Sequence, residues 1–159
     1  MAVLERCSQR ILVVDDDPYV AMAVRARLEA EGYEVIVATD GRDALIKVFD
    51  ERQDLVVLDV LLPYVRGLQV LASIRHDPEL RATPVVILSV LSSPQDIARA
   101  MWDDPDVYLT KPADSYTYWL HPEELDDLVV VVRRLLSVRP AAAEAACQAV
   151  KDIPGRVSV

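Results

Sequence analysis

The sequence predicts an α/β fold, a (βα)5 three-layer sandwich with a parallel five-stranded sheet between two layers of helices. Three observations lead there. Five short aliphatic runs recur near residues 11–14, 34–37, 55–58, 85–88 and 107–110. Most are apolar throughout rather than alternating, as strands buried on both faces are. Between them lie stretches with apolar residues at helical spacing, and right-handed crossovers place such helices on both sides of a sheet.

The elements follow in order. Ile11-Leu12-Val13-Val14 is the first strand, and it stops at Asp15 and Asp16. A helix over Pro18–Glu31 puts Val20, Val24 and Leu28 on one face, with Pro18 in its first turn and Gly32 as its stop. After the second strand, Gly41–Glu51 turns Ala44, Leu45 and Val48 inward. Leu55-Val56-Val57-Leu58 stops at Asp59, and the helix Gly67–His76 follows with Leu68, Leu71 and Ile74 inward. Val85-Val86-Ile87-Leu88 stops at Ser89, before a weaker helix over Ser93–Trp102. Val107-Tyr108-Leu109-Thr110 stops at Lys111. The last helix, Pro122–Val138, has the clearest pattern, with Leu125, Leu128, Val129, Val132, Leu135 and Leu136 on one stripe. Four strands that end in polar reactive residues describe one site, because ligands in open α/β sheets bind beyond the carboxyl ends of the strands.

Composition narrows the function. The 159 residues carry a net charge of −9, which argues against a nucleic-acid surface. No apolar stretch resembles a signal peptide or a membrane span, so the reading is cytoplasmic, with no membrane partner. Cys7 and Cys147 match no metal spacing; two free thiols or a single disulfide both fit.

The chemistry comes from the acids. Two unit charges about 4 Å apart repel by roughly 4 kcal/mol at an effective dielectric of 20. Asp15, Asp16 and Asp59 brought together therefore need positive charge, which a hard divalent cation and Lys111 supply. Mg²⁺ suits oxygen donors and keeps several waters. A carboxylate beside Mg²⁺ and a lysine is suited to phosphoryl transfer, and Ser89 is placed to donate to the same oxygens.

These motifs resemble the receiver domain of bacterial two-component response regulators. ILVVDDDP matches that family's first strand and acidic pair, Asp15 and Asp16. LVVLDVLLPYVRG matches the phosphoacceptor strand and loop, with Asp59, Pro63 and Gly67. VVILSV matches the strand ending in a hydroxyl, Ser89, and VYLTKP the strand ending in Lys111 and Pro112. The separations are 43 residues from Asp16 to Asp59, then 30 to Ser89 and 22 to Lys111. The resemblance covers residues 10–138, leaving 1–9 as an N-terminal extension and 139–159 as an Ala-rich C-terminal tail.

The resemblance implies a flavodoxin-like strand order 2-1-3-4-5. It implies that Asp59 accepts a phosphoryl group from a histidine kinase or phosphotransfer protein. Asp16, Asp59 and the backbone carbonyl of Leu61 would hold Mg²⁺ directly, and Asp15 mainly through a water. Ser89 and Tyr108 would form the switch pair, although Tyr108 also reads as a plain core aromatic. The Lys111–Pro112 peptide would be cis. Such a chain is a signalling receiver rather than an enzyme, catalysing only its own phosphorylation and dephosphorylation. No DNA-binding segment follows in these residues, so the expected output is contact with another protein, with a homodimer as a further state.

Four departures from the family pattern stand out. Arg66 stands where many receivers have an acid. Val90 replaces a small residue, which predicts slow phosphorylation by small donors and slow hydrolysis. Asp103-Asp104-Pro105-Asp106 replaces a Gly-containing turn, which predicts an irregular end to the fourth helix. The lengthened loop 113–121 carries Tyr116, Tyr118 and Trp119 beside the usual signalling face of the fourth helix, fifth strand and fifth helix. It reads as a partner or dimer contact, as a lid over that face, or as local packing against the lengthened last helix. Two other functions remain open here. A haloacid-dehalogenase-type phosphatase would use Asp15 and Asp17 but gives Asp59 no role, and a phosphorylation-independent scaffold would use none of the site.

Overall fold

Each aliphatic run becomes a strand because both of its faces find apolar cover. The computed structural model describes residues 8–137. Its five strands are β1 (Arg10–Val14), β2 (Glu34–Ala38), β3 (Leu55–Leu58), β4 (Val85–Ser89) and β5 (Val107–Thr110). All neighbouring pairs are parallel, in the order β2-β1-β3-β4-β5. The helices are α1 (Pro18–Ala30), α2 (Gly41–Asp50), α3 (Gly67–His76), α4 (Pro94–Met101), α5 (Thr117–Leu120) and α6 (Asp126–Leu136).

The alternation of strand side chains divides the core in two. Ile11, Val13, Val57, Val86 and Leu88 face Val20, Val24 and Leu28 of α1 and Leu128, Val129 and Val132 of α6. Leu12, Val14, Val56, Leu58, Val85 and Ile87 face Ala44 and Val48 of α2, Leu71 and Ile74 of α3, and Ala100 of α4. The crossovers therefore leave α1 and α6 on one side of the sheet and α2, α3 and α4 on the other.

Helix starts are set by side-chain caps. Asp17, Asp40 and Ser93 accept hydrogen bonds from the first-turn amides of α1, α2 and α4. The Gln69 side chain accepts the Arg66 N–H at the start of α3. Gly32 takes φ +94° just past α1, where a Cβ would be strained.

The turn before β5 keeps a left-handed residue without glycine. Asp104 takes φ 59° there, a conformation that Asp tolerates better than most residues. Arg75 fixes it, donating to the Asp104 carbonyl at 2.8 Å and to the Asp106 carboxylate at 2.8 Å. As predicted, α4 is short and ends irregularly.

The end of the domain differs from expectation. The apolar stripe after Pro122 does not form one helix from its first residue. Pro122–Leu125 is a 3-10 turn, and α6 begins at Asp126. The 3-10 turn starts at Pro122, directly after the short helix α5 inside the 113–121 loop, and leads into α6. Val138, the tail 139–159 and both cysteines lie outside the described residues. Among the described residues, no helix is long and apolar enough to cross a membrane.

Candidate functional site

Strand register gathers the predicted residues. Val14 pairs with Leu58, so the residues that follow, Asp15 and Asp59, lie side by side. Their amides continue the ladder, Asp59 donating to the Val14 carbonyl at 3.0 Å and Asp15 to the Ala38 carbonyl at 3.1 Å. Lys111 N–H donates to the Ser89 carbonyl at 2.8 Å, which fixes the start of the lysine stem at the end of β5. The side chain then crosses the end of β4 toward β1 and β3. That span is about 10 Å at the usual strand spacing, which a long side chain is suited to bridge.

The ammonium is shared by two acids. Lys111 Nζ lies 2.5 Å from Asp15 Oδ2 and 2.9 Å from Asp59 Oδ2, and all three side chains are nearly excluded from solvent. Burial raises the Asp15 carboxyl to about 6, and the Lys111 charge only partly offsets this. Burial also works against the charge on Lys111, but Asp15 and Asp59 outweigh it and hold its pKa above the usual lysine range.

Asp16 is exposed beside this pair, and one oxygen from each of Asp15, Asp16 and Asp59 lies within 4.8 Å of the others. Three hard oxygen donors at that separation fit a small divalent cation, and one lysine does not neutralise three carboxylates. The acids open into a cleft of about 280 Å³ that Leu61, Val90, Lys111 and Ser115 also line.

The loop after Asp59 is folded tightly back. A Cβ on Gly67 would lie 1.9 Å from the Asp59 carbonyl oxygen, so only glycine lets α3 start this close to the site. Tyr64 takes φ 67°, and the Val65 amide donates to the Pro63 carbonyl at 2.8 Å around it. This is a tight three-residue turn, strained for a bulky residue. Arg42 of α2 lies 4.4 Å from the Tyr64 ring centre and stacks on it. Arg66, singled out in the sequence, is an exposed residue at the start of α3 and has its backbone N–H on Gln69.

On the other side, one residue, Leu91, joins the two candidate switch residues. Ser89 is fully buried, and its Oγ accepts from the Leu91 amide at 3.3 Å. The half-buried Tyr108 hydroxyl donates to the Leu91 carbonyl at 2.5 Å.

Two expectations need correction. Among the described residues no peptide bond is cis, so Lys111–Pro112 is trans. The trans form is the lower-energy isomer of an X–Pro bond, and here Lys111 reaches both carboxylates with it. The 113–121 loop packs on the start of α1 and against α6 rather than closing as a lid over the fourth helix and fifth strand. Tyr118 is buried among the α1 and α6 side chains. Tyr116 packs on Tyr19 with ring centres 5.1 Å apart, and Trp119 Nε1 donates to the Tyr19 carbonyl at 2.9 Å. Local packing is thus observed, against α1 as well as against the last helix.

Sequence reasoning missed three contributors. Gly41 abuts the Val65 carbonyl, Arg42 stacks on Tyr64, and the Ser115 hydroxyl donates to Asp17 Oδ2. Asp40 before Gly41 signals a helix start, but nothing local in the sequence pairs Ser115 with a residue 98 positions away. Asp17, the second acid of the phosphatase reading, has one oxygen on the α1 amides and the other on Ser115.

With the geometry in hand, the comparisons with known proteins agree. Residues 11–117 match the family model of the response regulator receiver domain. The chain belongs to that family, the receiver domains of two-component response regulators. It is 38% identical over 105 residues to the DNA-binding dual master transcriptional regulator RpaA of Synechocystis, covering 66% of this chain and 44% of RpaA. It thus spans less than half the length of that relative. Among solved structures, the receiver domain of the Francisella response regulator 1452 is 31% identical, with a TM-score of 0.67 over 80% of this chain and 96% of that one. Response regulator TrrA of Thermotoga maritima, solved in complex with Mg²⁺ and BeF, is 32% identical, with a TM-score of 0.66 over 80% of this chain and 99% of that one.

Proposed function

We propose that Asp59 is the phosphoacceptor and that it takes its phosphoryl group from a phosphohistidine on a kinase or phosphotransfer protein in the cytoplasm. The observation that carries this reading is the buried Asp59 carboxylate at the mouth of the cleft, held by Lys111 and flanked by Asp15 and Asp16. An Asp59 oxygen attacks phosphorus, the P–N bond to the donor imidazole breaks, and an acyl phosphate forms. Lys111 pairs with the carboxylate beforehand and follows the negative charge onto a phosphoryl oxygen. Asp16, Asp59 and the Leu61 carbonyl would hold Mg²⁺ directly, with Asp15 acting through a water. When bound, that cation offsets charge on the phosphoryl oxygens.

The phosphoryl group adds about 1.5–2 negative charges beside Ser89. Ser89 then donates to it and lets go of the Leu91 amide, which loosens the residue whose carbonyl Tyr108 holds. The output is a changed surface around the β4–α4 segment, read by another protein or by a second copy of this chain. Residues 10–138 form the receiver unit on this reading.

The test is intact mass after incubation with Mg²⁺ and acetyl phosphate. One phosphoryl adduct in the natural sequence, and none in Asp59→Asn, is the expected result. If no adduct forms and Mg²⁺ with beryllofluoride leaves tryptophan fluorescence unchanged, the scaffold reading replaces this one.

A further inference from the structure

The 113–121 loop lines the acidic cleft with Ala113 and Ser115, and Ser115 bonds to the acidic segment through its hydroxyl. Asp17 is the last of three consecutive acids, of which the first two belong to the site. Its Oδ1 accepts from the Tyr19 and Val20 amides at 3.0 and 3.4 Å, which caps α1. Its Oδ2 accepts the Ser115 hydroxyl hydrogen. Its own amide donates to Asp15 Oδ1 at 2.9 Å. The segment Asp15–Asp17 is therefore pinned by Lys111 at one end and by α1 and Ser115 at the other. Ser115 is itself anchored, since Tyr118 is buried three residues on and Trp119 is tied to Tyr19.

We propose that Ser115 is a positioning residue for cation binding. Its hydroxyl engages the one Asp17 oxygen that the helix cap leaves over. This keeps Asp17 out of the ligand set and fixes the direction in which Asp16 presents its carboxylate. The inference rests on the reading of Asp15, Asp16 and Asp59 as the cation site. The physical reason is the stiffness of the ion: Mg²⁺ demands near-octahedral oxygens at about 2.0–2.1 Å, so a loosened acidic loop binds it less well. Outer partners of ligand residues typically contribute about 10–100-fold in metal affinity. Ser115 acts through the neighbour of a ligand, so a smaller change of about 3–10-fold is expected.

The experiment is calorimetric titration of the full chain with Mg²⁺, for the natural sequence, Ser115→Ala, Ser115→Thr and Trp119→Phe, with thermal melts to confirm folding. Trp119→Phe removes the tie to the Tyr19 carbonyl, which lies outside the acidic loop, and controls for general loosening of the insert. Weaker Mg²⁺ binding in Ser115→Ala alone, restored in Ser115→Thr, is the expected result. An unchanged Ser115→Ala, an equal loss in Trp119→Phe, or no rescue by Ser115→Thr would overturn it. No Mg²⁺ binding by the natural sequence would instead sink the cation-site reading, and this inference with it.

Discussion

The two walls of the acidic cleft are built differently. The wall toward α1 is tied at many points: the Asp17 cap, the Ser115 hydroxyl, the Tyr19–Tyr116 rings and the Trp119 indole. The wall toward α4 carries the partly exposed Val90 and the residue Leu91, held between Ser89 and Tyr108. The difference assigns different work to the two sides. A wall with redundant ties keeps the three acids in place, whereas a wall held through one residue has fewer bonds to give up before it rearranges. Lys111 and the loop after Asp59 form the floor between them.

The largest effect tests that floor. Lys111→Met leaves Asp15 and Asp59 buried without their counter-charge. Removing one partner of a buried pair costs about 3–5 kcal/mol. Urea unfolding at pH 8 without Mg²⁺ should show a loss of that order, and a smaller one at pH 5, where Asp15 takes up a proton. A loss below about 1 kcal/mol would mean that the ammonium does not hold the floor together.

The next effect is the pH dependence of the metal-free domain. The Asp15 carboxyl is raised from 3.8 to about 6 by burial. The folded chain therefore keeps a proton there that the unfolded chain releases between those values. The stability this group contributes is complete below about pH 4 and is lost as pH rises through about 6. A shift of that size corresponds to about 3 kcal/mol. Asp15→Asn should flatten that part of the stability profile. Mg²⁺ competes with the same proton, so half-saturation should require more metal below pH 6.

Gly67→Ala sharpens the comparison from the side of the loop. The added Cβ meets the Asp59 carbonyl at 1.9 Å, so the backbone of one must move. A loss of about 1–3 kcal/mol, as for overpacked sites, should come with weaker Mg²⁺ binding. Unchanged binding would show that Asp59 tolerates the displacement.

The smallest effect belongs to the α4 wall. Tyr108→Phe removes the bond to the Leu91 carbonyl and should cost about 1 kcal/mol. Hydrogen exchange should quicken at residues 90–93 and not at 113–119. Equal quickening on both sides would erase the distinction between the walls.

Most of the fold was legible. The five aliphatic runs became strands within a residue of their predicted bounds, because a short continuous apolar run is a local signal, clearest in the buried β1, β3 and β4. Helix α3 began and ended as predicted, since Gly67 and His76 bound a clear apolar stripe. The site was legible for a related reason. Asp15, Asp59, Ser89 and Lys111 each sit at or just beyond a strand end, and a parallel sheet brings all such ends to one edge.

What the sequence determined by itself, then, was the set of local patterns and the edge at which they converge: apolar period, caps, and polar residues at strand ends. Only the tertiary structure decided where the 113–121 loop lies, which oxygen of Asp17 is taken, and how Leu91 links Ser89 to Tyr108. Those depend on pairings between residues far apart in the chain, such as Asp17 with Ser115 and Tyr19 with Tyr116. A serine or tyrosine in a loop looks the same in sequence whether its partner is solvent or a distant helix, and only the packing of α5 against α1 selects between them.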